Sequence, residues 1–233
     1  MWWMTNQKPG ASALGIQRAM GLGSYETAWT WLHKLRRAMV RPDRDQLSGE
    51  VEVDETFVGG LERGGGRRHV GSKALVAIAA EIRGSGIGRI RMKRVCDSSA
   101  ASLQPFVKSA LAPGSTAITD GLLSYVGLAS AGYHHDRRIL LGSGQTAEAV
   151  LPGVHRVASL LKRWLLGTHQ GAVSREHLDY YLDEFTFRFN RRTSGNRGKL
   201  FYRLIQQAVS ASPAPYAKLR AGTGRGPQPV VGT

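Results

Sequence analysis

The 233-residue sequence has one cysteine, Cys96, and only 17 acidic residues against 32 lysines and arginines, a net charge of +15. A single thiol excludes an internal disulfide framework and a cysteine-built structural zinc site, and it fits a reducing compartment. Long apolar runs are also missing. The longest, 74–80, is far too short to span a bilayer, and the opening Met1, Trp2, Trp3 and Met4 give way to polar residues rather than an apolar signal core. The expectation is therefore a chain neither exported nor embedded in a membrane. The deficit of acids points the same way: a cationic excess of this size attracts polyanions such as nucleic acid or an acidic lipid face. What is present, 42% hydrophobic residues, suffices for a packed core and excludes wholesale disorder.

Residues 11–40 read as two helices around the turn Gly21, Leu22 and Gly23, with Ser24 placed to cap the second and Glu26 in its first turn. Ala28, Leu32, Leu35 and Met39 recur at helical spacing, while Lys34, Arg36 and Arg37 make the end of the helix basic. This is a helix-turn-helix candidate whose second helix suits a DNA major groove, although basic helical hairpins are common for other reasons. The polar, proline-bearing stretch 41–49 marks a linker, so a helical region over 1–49 is expected to precede a second domain over 50–210.

Glu50–Val58 alternates, with Val51, Val53 and Glu55 on one face and Glu52, Asp54 and Thr56 on the other. Strands over 73–82 and 88–95 continue it as an antiparallel meander. A helix over 98–111, a short strand over 115–119 and a helix over 121–131 then turn the pattern into strand–helix alternation, hence a mixed α/β fold. Val157, Leu160, Leu161, Trp164 and Leu165 define an amphipathic helix over 154–167. An aromatic helix over 176–190 and a last helix over 200–209 follow. The Pro-, Gly- and Ala-rich residues 211–233 read as a disordered tail.

Two acids stand out. Asp54 lies inside the first strand, where the plain reading is a solvent-facing side chain; Asp120 closes the short fourth strand before Gly121, where the plain reading is a turn. Together they occupy strands that a meander, a helix and a return strand can bring to one sheet edge. Converging carboxylates repel without a cation, and hard oxygen ligands suit Mg²⁺ or Mn²⁺, often as two ions about 3.5–4 Å apart for phosphoryl transfer. His155, at the start of the amphipathic helix, is the candidate third ligand, with a solvated surface histidine as the alternative and Glu148 as a reserve acid. Lys162 lies about two helical turns on, on the face that carries His155 and away from the apolar stripe. Lys162, Arg156 and Arg163 are candidates to hold phosphates, as are Arg191 and Arg192 after the aromatic helix. Residues 59–73 imitate a phosphate loop but link two strands and lack its Gly-Lys-Ser/Thr end, so no nucleotide is expected. Arg63, Arg67 and Arg68 in that stretch are instead candidates for contact with the DNA backbone.

The segments 10–39, VEVDETFVGG, STAITDG, HRVASLLKRWLLGTHQGAV and HLDYYLDEFTFRFNRRT occur here in the order found in bacterial insertion-sequence transposases of the ISXO-like group, which the chain resembles. The resemblance implies an RNase H-like mixed sheet flanked by helices, preceded by a small helix-turn-helix-like region. It also implies metal-dependent cleavage and strand transfer at element ends, on double-stranded DNA, by a homo-oligomer acting in the bacterial cytoplasm on nucleoid DNA. Asp54 and Asp120 carry over as metal-binding acids of the DDE type. The third position, glutamate or asparagine in many relatives, is His155 here, a DDH variant expected to favour Mn²⁺ over Mg²⁺ because imidazole offers one nitrogen in place of two oxygens. Many relatives also carry a zinc ribbon ahead of the helix-turn-helix, which one cysteine cannot build, so no zinc is expected. Two alternatives stay open: an inactive truncated relic that represses transposition by binding DNA, and a nuclease of the same fold that cuts without joining.

Overall fold

The computed structural model describes residues 1–7, 9–41, 44–59, 73–139, 146–171 and 173–222. In chain order these form α1 (Trp2–Asn6), α2 (Ala13–Ala19), α3 (Tyr25–Ala38), β1 (Glu50–Val58), β2 (Ala74–Arg83) and β3 (Gly86–Val95). Then come α4 (Ala100–Ala110), β4 (Thr116–Thr119), a 3₁₀ segment (Leu123–Ala131) and β5 (His134–Arg137). Last are α5 (Ala147–Val150), α6 (Pro152–His169), a short 3₁₀ turn (Arg175–His177), α7 (Leu178–Phe189), α8 (Arg197–Ser210) and α9 (Tyr216–Arg220).

β1, β2 and β3 pair as the antiparallel meander, and β4 and β5 join in parallel on the other edge of β1, giving the order β3-β2-β1-β4-β5. With helices on both faces, this is the RNase H-like mixed sheet. The alternation of β1 decides which helices cover which face. Val51 and Val53 are fully buried beneath Leu103, Phe106 and Val107 of α4 and Tyr125 of the 3₁₀ segment. Across the sheet, Ile78, Ile90 and Ile118 pack on Val154, Val157 and Leu161 of α6 and on Phe185 and Phe189 of α7. β2 is covered on both sides, so its apolar run over 74–80 is a strand buried on two faces.

The helices ahead of the sheet do not build a core of their own. Ile16, Ala28, Leu32 and Met39 share one cluster with Phe187 of α7 and Leu204 of α8. α7 is buried nearly all round because one side meets the sheet and the other meets α3, which accounts for aromatic residues on every face of it. Ser24 holds the capping position of α3 without donating its side chain to the role, whereas Ser12 Oγ accepts the Gly15 N–H at 3.0 Å at the start of α2. The expected tail needs correction over its first part: within 211–222, α9 folds back and buries Leu219 completely beside Tyr180 and Ala214, where Trp29 packs too. Residues 223–233 lie outside the described residues. Among the described residues no helix is long and apolar enough to cross a membrane.

Candidate active site

Asp54 and Asp120 meet through strand register. β1 and β4 run parallel with Val53 opposite Thr119, so Asp54 and Asp120 are the next positions on neighbouring strands, about 5 Å apart at the backbone. Glu52 and its partner Ile118 mark the same face two residues earlier, the face that α6 covers. Asp120 also begins the turn, as the plain reading had it: its Oδ1 accepts the Leu122 N–H at 3.0 Å. A turn-forming aspartate and a candidate ligand are thus the same residue.

α6 delivers His155 to this pair. Its Nε2 lies 3.5 Å from Asp54 Oδ2, both side chains being mostly shielded from solvent. Glu148, the reserve acid, is exposed on α5. Burial pushes the Asp54 carboxyl up to about 6, opposed by the N–H of Glu55 that Asp54 Oδ1 accepts at 2.8 Å and reinforced by the charges of Asp120 and Glu52. The adjoining Glu55 is pushed up to about 7, again chiefly by burial, although it accepts the Tyr125 hydroxyl at 2.8 Å. A patch of acids that resists ionisation in this way suits a divalent cation, and two carboxylates with one imidazole form a donor set appropriate to Mg²⁺ or Mn²⁺. Among the described residues, no three His, Cys, Asp or Glu side chains are already drawn together closely enough to hold a metal.

Two acids of the site escape a reading by residue type. Glu55 sits on the Val51 and Val53 face, where it accepts the hydroxyl of Tyr125, itself fully buried. The signal lies in the alternation of β1, which directs an acid into an apolar layer. Glu52, 3% exposed, reaches α6 and accepts the Val154 N–H at 2.8 Å.

The basic residues differ in their surroundings. Lys34 on α3 and Arg156, Lys162 and Arg163 on α6 are exposed, and Lys162 has its pKa lowered by partial burial and by nearby Lys73. Arg37 is half-buried and engaged within the protein. Arg36 is a correction: 1% exposed and bonded through Nε to Glu184 Oε2 at 2.8 Å, it belongs to the core and cannot meet DNA. The guanidinium groups of Arg191 and Arg192 lie over the rings of Phe187 and Phe189 and donate to main-chain carbonyls of those residues, and Arg192 also holds Gly88 and Ile87 of β3. Both therefore staple the end of α7. Arg63, Arg67 and Arg68 lie outside the described residues.

The raised pKa of Asp54 sets a stability expectation. A carboxyl that ionises at about 6 when folded and near 4 when unfolded costs the metal-free fold stability as pH rises through that window. Asp54→Asn, which keeps an acceptor for the Glu55 N–H, is expected to stabilise the metal-free protein at pH 7.5 by on the order of 2 kcal/mol and to lose this advantage at pH 4. Thermal unfolding in EDTA at the two pH values measures it; an Asn variant less stable than the parent at pH 7.5 contradicts it.

A family model for the ISXO2-like transposase domain matches residues 46–190, more than half of the chain and the whole stretch from β1 to the end of α7. No curated protein matches the sequence. Among solved structures, the chain is similar to the catalytic core domain of BIV integrase, at 12% identity over 70% of this chain and 99% of that one, with a TM-score of 0.40. It is also similar to a chain of the simian T-cell lymphotropic virus intasome in complex with the PP2A regulatory subunit B56 gamma, at 12% identity over 78% and 68%, with a TM-score of 0.40. A pre-cleavage Mos1 transpososome matches at 13% identity over 88% and 79%, with a TM-score of 0.36.

Proposed function

This chain belongs to the ISXO2-like transposase domain family, and from that premise we propose that it cuts DNA at insertion-sequence ends and joins the freed 3′ ends to target DNA, with Asp54, Asp120 and His155 as the metal-binding set. The observation that carries the reading is the placement of the two acids one residue past the paired Val53 and Thr119 of adjacent parallel strands, with His155 Nε2 3.5 Å from Asp54. Bound there, Mg²⁺ or Mn²⁺ would lower the pKa of an attacking water and offset the negative charge that gathers on the phosphoryl group and the departing 3′ oxygen.

The protein's own groups account for the rest. Asp54, ionised, is held by the Glu55 N–H and directed at the centre of the site. Lys162, Arg156 and Arg163, on the solvent side of α6, receive backbone phosphates and set the scissile bond in line between nucleophile and leaving oxygen. Lys34, exposed on α3, adds sequence-independent affinity for duplex DNA. In the first step water attacks phosphorus, the P–O bond to the 3′ oxygen breaks, and that oxygen leaves as a hydroxyl. In the second, the same 3′-OH loses its proton and attacks a target phosphodiester, whose own P–O bond to the 3′ oxygen breaks so that this oxygen leaves as a hydroxyl, and one site serves both steps. Handling two element ends together calls for more than one copy of the chain on DNA.

A duplex with a pre-cut 3′-OH element end tests this most simply. Incubated with the full chain, target DNA and Mn²⁺, it is expected to yield covalently joined product. Cleavage of an uncut end without joining identifies a nuclease, and binding without either product identifies a DNA-binding relic; both outcomes overturn the proposal.

A further inference from the structure

The N-terminus of α6 lacks a local cap. Its capping position is Leu151, whose side chain has nothing to accept with, and Pro152 at the start of the helix has no N–H to satisfy. The first free donors are the amides of Gly153 and Val154, and both turn to one carboxylate that comes from the sheet. Glu52 Oε2 accepts the Val154 N–H at 2.8 Å, and the Gly153 N–H faces the same carboxylate. Glu52 is 3% exposed, so little water competes for these bonds. The carboxylate has room because residue 153 is glycine: a Cβ there would stand 2.9 Å from Glu52 Oε2 and 2.8 Å from Ile82 Cδ1.

We propose that Glu52 is a positioning residue that sets His155 against Asp54 by tying the first turn of α6 to β1. Glu52 and Asp54 share a strand face two residues apart, roughly 6.6 Å along β1. Val154 and His155 are consecutive in α6. The two contacts therefore run side by side between the same two elements, Glu52 to Val154 and Asp54 to His155, the second at 3.5 Å. Fixing the first leaves the helix little freedom to slide or turn at the second. A serine or aspartate at the capping position would satisfy the same amides without linking helix to strand, which gives a reason for the cap to come from the sheet. The inference rests on reading Asp54 and His155 as metal ligands, while the mechanical link itself does not depend on a metal.

The test compares Glu52→Leu, which removes the acceptor at similar volume, with Glu52→Gln, which keeps a carbonyl oxygen for the amides. In the full chain, Mn²⁺ affinity is expected to fall roughly 10- to 100-fold in Glu52→Leu and only a few-fold in Glu52→Gln. Leu204→Ala, in the cluster shared by α3 and α8, controls for lost stability and should leave the affinity unchanged. A metal-free readout accompanies this. Asp54→Asn is expected to shift the His155 imidazole ¹⁵N resonance in the parent and in the Glu52→Gln background, and not in the Glu52→Leu background. If Glu52→Leu does not fold, Gly153→Ala, which displaces the carboxylate sterically, carries the same expectation. Parent-like Mn²⁺ affinity in Glu52→Leu, or an unchanged His155 response, overturns the proposal, as does an equal loss in Glu52→Gln. A parent that binds no Mn²⁺ refutes the metal reading of the pair, and the imidazole readout then decides the role of Glu52 alone.

Discussion

Glu184→Leu is expected to destabilise the protein by about 3–5 kcal/mol, lowering the unfolding midpoint by roughly 6–20 °C. Glu184 is wholly buried in α7 and bonded on both oxygens, Oε2 to Arg36 Nε and Oε1 to Arg188 Nε, each at 2.8 Å. Burial raises its carboxyl, yet Arg36 and Arg188 together outweigh that and hold it below the usual carboxylate range. Without Glu184, Arg36 keeps its charge in a site 1% exposed, with the face of the Tyr181 ring at 4.1 Å as its remaining support. Arg188 loses less, since it is less buried and also donates to the carbonyls of Gln7 and Met4. The variant Arg36→Met with Glu184→Leu should recover much of the loss, because an apolar pair needs no desolvated charge. Thermal unfolding of the three proteins decides the matter; a loss below about 1 kcal/mol for the single variant would mean that the triad is not what joins α3 to α7.

The same triad shows where sequence reading reached its limit. The two faces of β1, the meander and the amphipathic face of α6 are legible in the sequence because they rest on local periodicity. The alternation over Glu50–Val58 assigned each side chain of β1 to its face, and helical geometry put His155 and Lys162 away from the apolar stripe. The inward face of α3 is only half legible: Ala28 and Leu32 are apolar, but Arg36 lies four residues beyond Leu32 on that same face, within a run of basic residues that suggests the DNA side instead. The clue is Glu184, an acid among the buried aromatic positions of α7, which requires a cation. Its partner stands far away in sequence, and local patterns carry no information about such pairs. The same distance in sequence hides the shared core of α2 and α3, which Phe187 and Leu204 complete. The fold of 211–222 was hidden likewise, since a segment rich in Pro and Ala is ordered by Leu219 entering a pocket that only the folded chain presents.

Asp54→Asn and Asp120→Asn are each expected to reduce strand cleavage and joining by on the order of 10³-fold or more while leaving duplex binding within a few-fold. The two effects separate because the acids lie towards the α6-covered face of the sheet, whereas the exposed cations proposed to hold DNA stand on the outside of α3 and α6. An amide keeps the shape and the acceptor of each side chain, so the loss reports the missing charge and not an altered fold. His155→Ala is expected to weaken activity less severely than either acid variant and to lose more of it in Mn²⁺ than in Mg²⁺, since the proposed imidazole donor is removed and both carboxylates stay.

The most direct measurement is single-turnover cleavage of a labelled duplex carrying an element end, for the parent, Asp54→Asn and Asp120→Asn, in Mn²⁺ and in EDTA. The account predicts product from the parent only with metal and from neither variant. Cleavage by either variant at the parental rate, or by the parent in EDTA, would contradict the assignment of the site.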